Sequence, residues 1–142
     1  HDEDLQAKPF VGRSGKLLDK MLEAIDLNRE KVYIANIIPW RPPANRRPTE
    51  DEINSCLPFI LKHIEIIKPS ALMLLGSTAT FAILRNKEGI SKIRGKWVDL
   101  KINQMTIPTM PTFHPAFLLR QPGQKKHVWT DLQSLRDKIN QK

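Results

Sequence analysis

Three short apolar runs separated by amphipathic segments limit the possible folds of this chain more than any other feature. The runs are "KVYIANII" at 31–38, "ALMLLG" at 71–76 and a third at 104–110. Each run has the length and apolar character of a buried strand. Strands that alternate with helices favour a parallel sheet covered by helices, with right-handed crossovers. We therefore expect an α/β fold that forms a single domain over residues 1–142.

The segments between these runs have the periodicity and the boundary residues of helices. Thr49 and Glu52 fit a T-x-x-E capping box, and Pro69 follows as a stop signal. The stretch "PWRPPANRRPT" must be a loop, because four prolines in eleven residues cannot join a helix or a central strand. The Lys-, Gly- and Arg-rich segment 87–101 is expected to be a basic connection. The predicted helices are 14–26, 50–68, 77–85 and 127–139.

The loops that follow the predicted strands are the places to look for a functional site. In a parallel α/β sheet, ligands bind beyond the carboxyl ends of the strands. The three loops are "NIIPWRPP", "LGSTAT" and "PTFHPAFLLR". The first contains Asn36 and the last contains His114. We therefore expect these two side chains to lie near each other.

The charge of the chain indicates the class of its partner. Lys and Arg number 23 and Asp and Glu number 15, which gives a net charge of +8. This excess favours a polyanion, with nucleic acid ahead of a membrane surface. No run approaches the length of a membrane span and no signal-peptide pattern opens the chain, so we expect a cytoplasmic protein. A nucleotide-binding module is a weaker interpretation, because neither a P-loop nor a dinucleotide fingerprint is present.

Five segments carry a more specific signal: "KPFVGRSGKLLDKML", "NIIPWRPPANRRPT", "LLGSTAT", "ISKIRGKW" and "PTFHPAFLLRQP". In this order, over nearly the whole chain, they resemble successive motifs of the family 4 uracil-DNA glycosylases. The resemblance implies a three-layer α/β/α sandwich with a parallel central sheet. It also implies a monofunctional hydrolase of base excision repair, which flips uracil out of DNA and hydrolyses its N-glycosidic bond. The expected partner is uracil-containing DNA, bound by a monomer.

The resemblance assigns roles to four residues of the uracil pocket. His114 resembles the histidine that donates a hydrogen bond to uracil O2, and Asn36 resembles the asparagine that reads the uracil edge. Phe10 resembles the aromatic residue on which the flipped base stacks, and Glu3 matches an acidic position that helps to orient water. A structural alternative accompanies each role. His114 is also suited to capping the next helix, Asn36 to a strand-end loop, Phe10 to the core, and Glu3 to a disordered terminus.

A second group of residues is expected to contact the DNA outside the pocket. At most one apolar side chain after His114 is expected to wedge into the base stack, with Phe117, Leu118 and Leu119 as candidates. The start of the helix after the second strand offers backbone N–H groups to a phosphate, at Gly76, Ser77 and Thr78. Basic candidates for phosphate contacts are Arg94, Lys96, Arg120, Lys125 and Lys126. The alternatives are a helix packed into the core and a solvated basic surface.

The sequence departs from the family pattern in two ways. It begins at His1, so we expect the family's Gly-Glu-x-Pro-Gly stretch and the first strand to be absent from this chain. The family's [4Fe–4S] cluster uses four Cys ligands, whereas this chain has Cys56 at one ligand position and Trp40 at another. We therefore expect no cluster and no other cofactor in this chain. We also expect weak excision or none by this chain alone, and the alternative to an enzyme is a truncated or degenerate DNA-binding remnant.

Overall fold

The structure is a computed structural model that describes residues 12–27, 32, 34 and 49–140. In chain order its elements are α1 (Gly12–Glu23), α2 (Glu50–Ile67), β1 (Leu72–Leu75), α3 (Gly76–Leu84), α4 (Ile90–Ile93), β2 (Val98–Ile102), β3 (Met105–Thr112), α5 (Pro115–Arg120) and α6 (Lys125–Asn140), with a 3-10 turn at Pro122–Gln124 between the last two helices. All four predicted helices and the strands predicted at 71–76 and 104–110 are confirmed within a few residues at each end. The predicted strand at 31–38 lies outside the described residues, apart from Val32 and Ile34.

Helix α2 has the boundaries that its sequence predicts. The Thr49 side chain accepts a hydrogen bond from the Glu52 backbone N–H at 3.2 Å, and the Glu52 carboxylate accepts one from the Thr49 N–H at 2.8 Å. The capping box is therefore confirmed. The helix ends at Ile67, and its C-cap Lys68 has a left-handed φ of 52° just before Pro69. Neither α2 nor any other helix in the described part of the chain is long and apolar enough to span a membrane.

The sheet contains one parallel pair and one antiparallel pair among the described residues. Its strand order is β1-β3-β2. Strands β1 and β3 are parallel, as the alternation of elements predicts. Strand β2 is antiparallel to β3, with Ile102 opposite Met105, and a two-residue turn joins them. The prediction that 87–101 is only a connection was therefore wrong, because this segment contains α4 and most of β2.

The β2–β3 hairpin has a local sequence signal, which is hidden when residues 87–101 are treated as one basic segment. The sequence "VDLKI" alternates between apolar and polar residues, which is typical of a half-exposed edge strand. Asn103 follows it with a φ of 53°, a left-handed conformation that asparagine tolerates and that tight hairpin turns need. The hairpin therefore forms from local pairing, whereas β1 and β3 come together through a helical crossover.

Helices cover both faces of this sheet, because successive side chains of a strand point to opposite faces. One layer packs β1 and β3 against α1 and α6, and the other packs all three strands against α2 and α3. The buried residues of the first layer include Leu18, Met21, Leu22, Met110, Val128, Leu132 and Leu135. Those of the second layer are Ile64, Leu74, Ile83, Ile102 and Ile107. The arrangement is a three-layer α/β/α sandwich with the carboxyl ends of β1 and β3 side by side.

Candidate active site

His114 lies at the carboxyl end of β3, where the chain turns into α5. It is the N-cap of that helix, and its Nδ1 accepts a hydrogen bond from the backbone N–H of Ala116 at 3.0 Å. Pro115, at the first helical position, needs no partner for a backbone N–H. Because Nδ1 acts as the acceptor, the proton of the neutral imidazole belongs on Nε2. The capping role and the hydrogen-bond-donor role predicted for His114 are therefore compatible, because they use different ring nitrogens.

The surroundings of His114 favour its neutral form. Burial lowers the pKa of its imidazole below the ordinary histidine value, and the positive charge of Arg120 lowers this pKa further. Protonation of Nδ1 would also remove the acceptor for the Ala116 N–H. Near pH 7 the site therefore presents a neutral imidazole, a donor through Nε2, rather than an imidazolium.

This depressed pKa predicts a specific dependence of stability on pH. In the unfolded chain His114 binds a proton as the pH falls through about 6.5, whereas in the folded chain it resists protonation to a lower pH. Acidification through this window should therefore lower the free energy of unfolding. The contribution of His114 to that free energy should be fully present above about pH 6.5. Denaturant titrations between pH 5 and 8 should show that the free energy of unfolding depends less steeply on pH in His114→Asn than in the unmodified chain. Identical slopes, or an imidazole pKa at or above the ordinary value by NMR, would contradict this account.

Gly76 brings the end of β1 against His114. Leu75, its predecessor, pairs with Thr112 of β3, so the two parallel strands end at the same level. Gly76 has a φ of 91°, and a Cβ on this residue would lie 3.0 Å from the Cβ of His114. The sequence analysis assigned Gly76 to phosphate binding and missed this close approach. A glycine is required here because the backbone is left-handed and because the histidine occupies the space that a side chain would need.

The start of α3 lies beside this contact. Ser77 is exposed, Thr78 is half-buried, and the Thr80 hydroxyl donates to the Gly76 carbonyl at 2.8 Å. The loops "LGSTAT" and "PTFHPAFLLR" therefore do converge, as expected for the carboxyl ends of neighbouring parallel strands. Asn36, Phe10, Glu3 and Trp40 lie outside the described residues, and their roles stay predictions.

Arg94, predicted to contact phosphate, is bonded within the protein. Its Nε and Nη2 donate to the two carboxylate oxygens of Asp131 at 3.0 and 2.5 Å, and Nη2 also reaches the His127 carbonyl at 3.4 Å. The pKa of the guanidinium is raised, mainly by the hydrogen bond to Asp131. The carboxylate also accepts a hydrogen bond from the Thr112 hydroxyl at 2.5 Å. The geometry therefore gives Arg94 a structural partner.

Asp131 is a residue that the sequence analysis missed. It is 1% exposed and lies on the buried side of α6. The sequence does contain a signal for its burial, because Asp131 lies in the apolar stripe that Val128, Leu132 and Leu135 form along the helix. An acidic residue in such a stripe needs a buried partner, since a lone charge there is too costly.

The other predicted DNA contacts differ in their exposure. Leu118 is 1% exposed and packs in the core, so the structure gives it a packing role instead of the predicted wedge. Phe117 is half-buried, with its ring centroid 4.8 Å from that of Phe113, and Leu119 is also half-buried. The basic candidates that remain on the surface are Lys96, Arg120, Lys125 and Lys126.

Cys56, which matches one cluster-ligand position of the family, lies in the core. It is 4% exposed and packs in α2 with Ile53 and against Ala82. Burial raises the pKa of its thiol, and the negative charge of Glu52 raises it further. Cys56 is also the single cysteine of the sequence, so four cysteine ligands cannot come from this chain. Within 12–27 and 49–140, no three His, Cys, Asp or Glu side chains are grouped to hold a metal ion.

Comparison with known proteins gives a consistent result. The chain matches the family model of the Uracil DNA glycosylase superfamily over residues 1–133. It is 38% identical to a type-4 uracil-DNA glycosylase of Saccharolobus solfataricus, over 99% of this chain and 68% of that protein. Identity to the type-4 enzyme of Sulfurisphaera tokodaii is 39%, over 96% and 64% of the two chains, and to that of Thermotoga maritima it is 44%, over 84% and 61%. The chain thus spans 61 to 68% of the length of these relatives.

Proposed function

The chain belongs to the uracil-DNA glycosylase superfamily, and from this membership we propose that it excises uracil from DNA in base excision repair. The reaction is hydrolysis of the N-glycosidic bond of a uracil that has been flipped out of the base stack. The observation that best supports this proposal is the hydrogen bond from the Ala116 N–H to His114 Nδ1, which assigns the proton of the neutral imidazole to Nε2 where the loops after two parallel strands meet.

The proposed chemistry follows from the charges that develop as the bond breaks. The electron pair of the bond between C1′ and N1 leaves with the base, so negative charge builds on uracil and spreads to O2. Donation from His114 Nε2–H to O2 stabilises this charge, and one such donor is worth about 10²- to 10³-fold in rate. Water then adds to C1′ of the positively charged sugar, and the proton that it loses neutralises the uracil anion, which leaves free uracil and an abasic sugar. We assign the orientation of this water to Glu3.

Recognition of the base is proposed for Asn36 and Phe10. The Asn36 amide offers both a donor and an acceptor, which matches the O4 acceptor and N3–H donor of uracil. Cytosine reverses this pattern. The ring of Phe10 would stack on the flipped base, an interaction worth about 1–3 kcal/mol. Phe117 is the candidate that we favour for the wedge that holds the base out of the duplex.

Contacts to the DNA backbone are proposed for the exposed basic residues that follow the site. Arg120, Lys125 and Lys126 lie at and after the end of α5, and Lys96 lies in the connection to β2. Backbone N–H groups at Gly76, Ser77 and Thr78 add an anion-binding helix start. We also propose that the protein acts as a cytoplasmic monomer. No step passes through an iron–sulfur cluster, because the single cysteine cannot supply its ligands.

A substrate panel tests both the activity and the role of Asn36. The unmodified chain should release uracil from U·G and U·A pairs and should leave cytosine and thymine in place. Asn36→Asp replaces the amide by a carboxylate that only accepts hydrogen bonds, so uracil release should fall about 10- to 100-fold and the preference over cytosine should narrow. Asn54→Asp, on the exposed side of α2, is the matched control and should behave like the unmodified chain. Unchanged rates and selectivity in Asn36→Asp would rule out its reading role.

A further inference from the structure

A polar cluster around a buried carboxylate links three parts of the fold just behind the site. It consists of Asp131 on α6, Arg94 after α4 and Thr112 at the end of β3. Arg94 donates to both carboxylate oxygens, and the Thr112 hydroxyl donates to Oδ2 at 2.5 Å. Thr112 is 0% exposed and Asp131 is 1% exposed. Among the described residues, no buried side-chain nitrogen or oxygen is left without a hydrogen-bond partner.

Gly95 ties the backbone into the same cluster. Its N–H donates to the Pro111 carbonyl at 2.8 Å, which joins the connection after α4 to the end of β3. Its φ is 77°, and a Cβ on Gly95 would lie only 2.6 Å from the Asp131 Oδ1. The backbone thus approaches the carboxylate as closely as a glycine allows. Two consecutive residues of β3, Pro111 and Thr112, are therefore each bonded to this cluster.

The cluster acts on the two residues that lead to His114. The next residue, Phe113, is 4% exposed and contacts the Phe117 ring, so the chain is fixed from Pro111 to Phe113. His114 is the first residue beyond this fixed segment, and its ring is held by the Ala116 N–H. A displacement of Thr112 would therefore shift the end of β3, and it would change the orientation of the His114 imidazole.

We propose that Asp131 is a positioning residue, which acts through Thr112 and Arg94 to hold the end of β3 so that His114 Nε2–H points at its acceptor. The carboxylate does not reach the substrate in this proposal. The cost of burying it is offset by the charged and neutral donors that surround it. The catalytic consequence rests on the proposed glycosylase function, whereas the structural consequence for His114 does not.

Two substitutions of Thr112 separate the hydroxyl from the shape of the side chain. Thr112→Val keeps the shape and removes the hydrogen bond to Asp131, whereas Thr112→Ser keeps the hydroxyl and loses a methyl group. Because a misplacement of about 1 Å can cost 10²-fold in rate, Thr112→Val should lower kcat by about 10- to 100-fold with little change in KM. Thr112→Ser should recover most of that loss. Equal kcat values for the two variants would overturn the proposal.

A second readout follows His114 directly and does not depend on activity. The ¹⁵N and ¹H NMR signals of its imidazole report the tautomer and the pKa of His114. Both sets of signals should shift in Thr112→Val and in Asp131→Asn. Asp137→Asn, on the exposed part of the same helix, is the matched control and should leave them unchanged. Unchanged His114 signals in the folded Thr112→Val variant would show that the cluster is only structural. If the unmodified chain released no uracil, the proposed function would fail, while these signals would still decide whether Asp131 positions His114.

Discussion

His114→Asn should slow uracil release by about 10²- to 10³-fold while leaving DNA affinity within about threefold. Asparagine is a good N-cap residue, and its side-chain oxygen can accept the Ala116 N–H in place of Nδ1. The helix after the site should therefore remain capped. What the substitution removes is the Nε2–H donor, which matters only as negative charge develops on the base. Single-turnover rates and equilibrium binding to the same duplex separate the two effects.

His114→Ala is the companion variant, because it removes the cap as well as the donor. It should show the same loss of rate and, in addition, a free energy of unfolding lower by about 1 kcal/mol. A loss of stability confined to the alanine variant would assign the cap to Nδ1 and the rate effect to Nε2. If both variants lost rate and affinity in equal measure, His114 would be a structural residue and the proposed chemistry would be wrong.

Gly76→Ala should damage both stability and activity. A non-glycine residue held at a φ of 91° is strained by about 1–3 kcal/mol, and the new Cβ would lie 3.0 Å from the Cβ of His114. Relief of this contact requires His114 to move, and a shift of a few tenths of an ångström to 1 Å predicts a rate loss of about 10- to 100-fold. Thermal or denaturant unfolding and single-turnover excision measure the two effects.

Gly123→Ala is the matched control for that experiment. Gly123 lies in the 3-10 turn before α6, and a Cβ there would have no atom within 4 Å. Its stability should change by less than about 0.5 kcal/mol, and its excision rate should match that of the unmodified chain. A Gly76→Ala variant as active and as stable as Gly123→Ala would mean that the tight packing of β1 against His114 has no functional importance.

Much of the fold could be predicted because the local signals agree with the tertiary structure. The capping box of Thr49 and Glu52, the apolar run at 71–76 and the helix that follows it all occur where the sequence predicts them. The position of His114 after a strand end, where α/β folds place their sites, made it a candidate, and the resemblance of its segment to a glycosylase motif decided the assignment. These are features of short segments, and neighbouring segments reinforce them.

The features that escaped prediction depend on contacts between distant parts of the chain. Asp131 and Arg94 are 37 positions apart, and nothing in either segment shows that they pair. In the sequence, Gly76 cannot be distinguished from any other glycine at a helix start. Only the structure shows that His114 lies beside it. For Leu118 in "FLLR" the sequence left open a wedge or a place in the core, and only the packing of α5 on α1 shows that it is buried. Strand β2 was overlooked for a different reason, since its charged residues suggested a loop.

The proposed glycosylase activity is tested by measuring the release of free uracil from a duplex with one U opposite G. The reaction is run in single turnover, with the chain in excess over the DNA. Mass spectrometry of the released base and of the DNA strand distinguishes hydrolysis from binding alone. We expect free uracil and an abasic strand that stays intact until alkali is added, with release strongly reduced in His114→Asn. A folded chain that binds the duplex and releases no uracil would contradict the account and would favour a DNA-binding remnant.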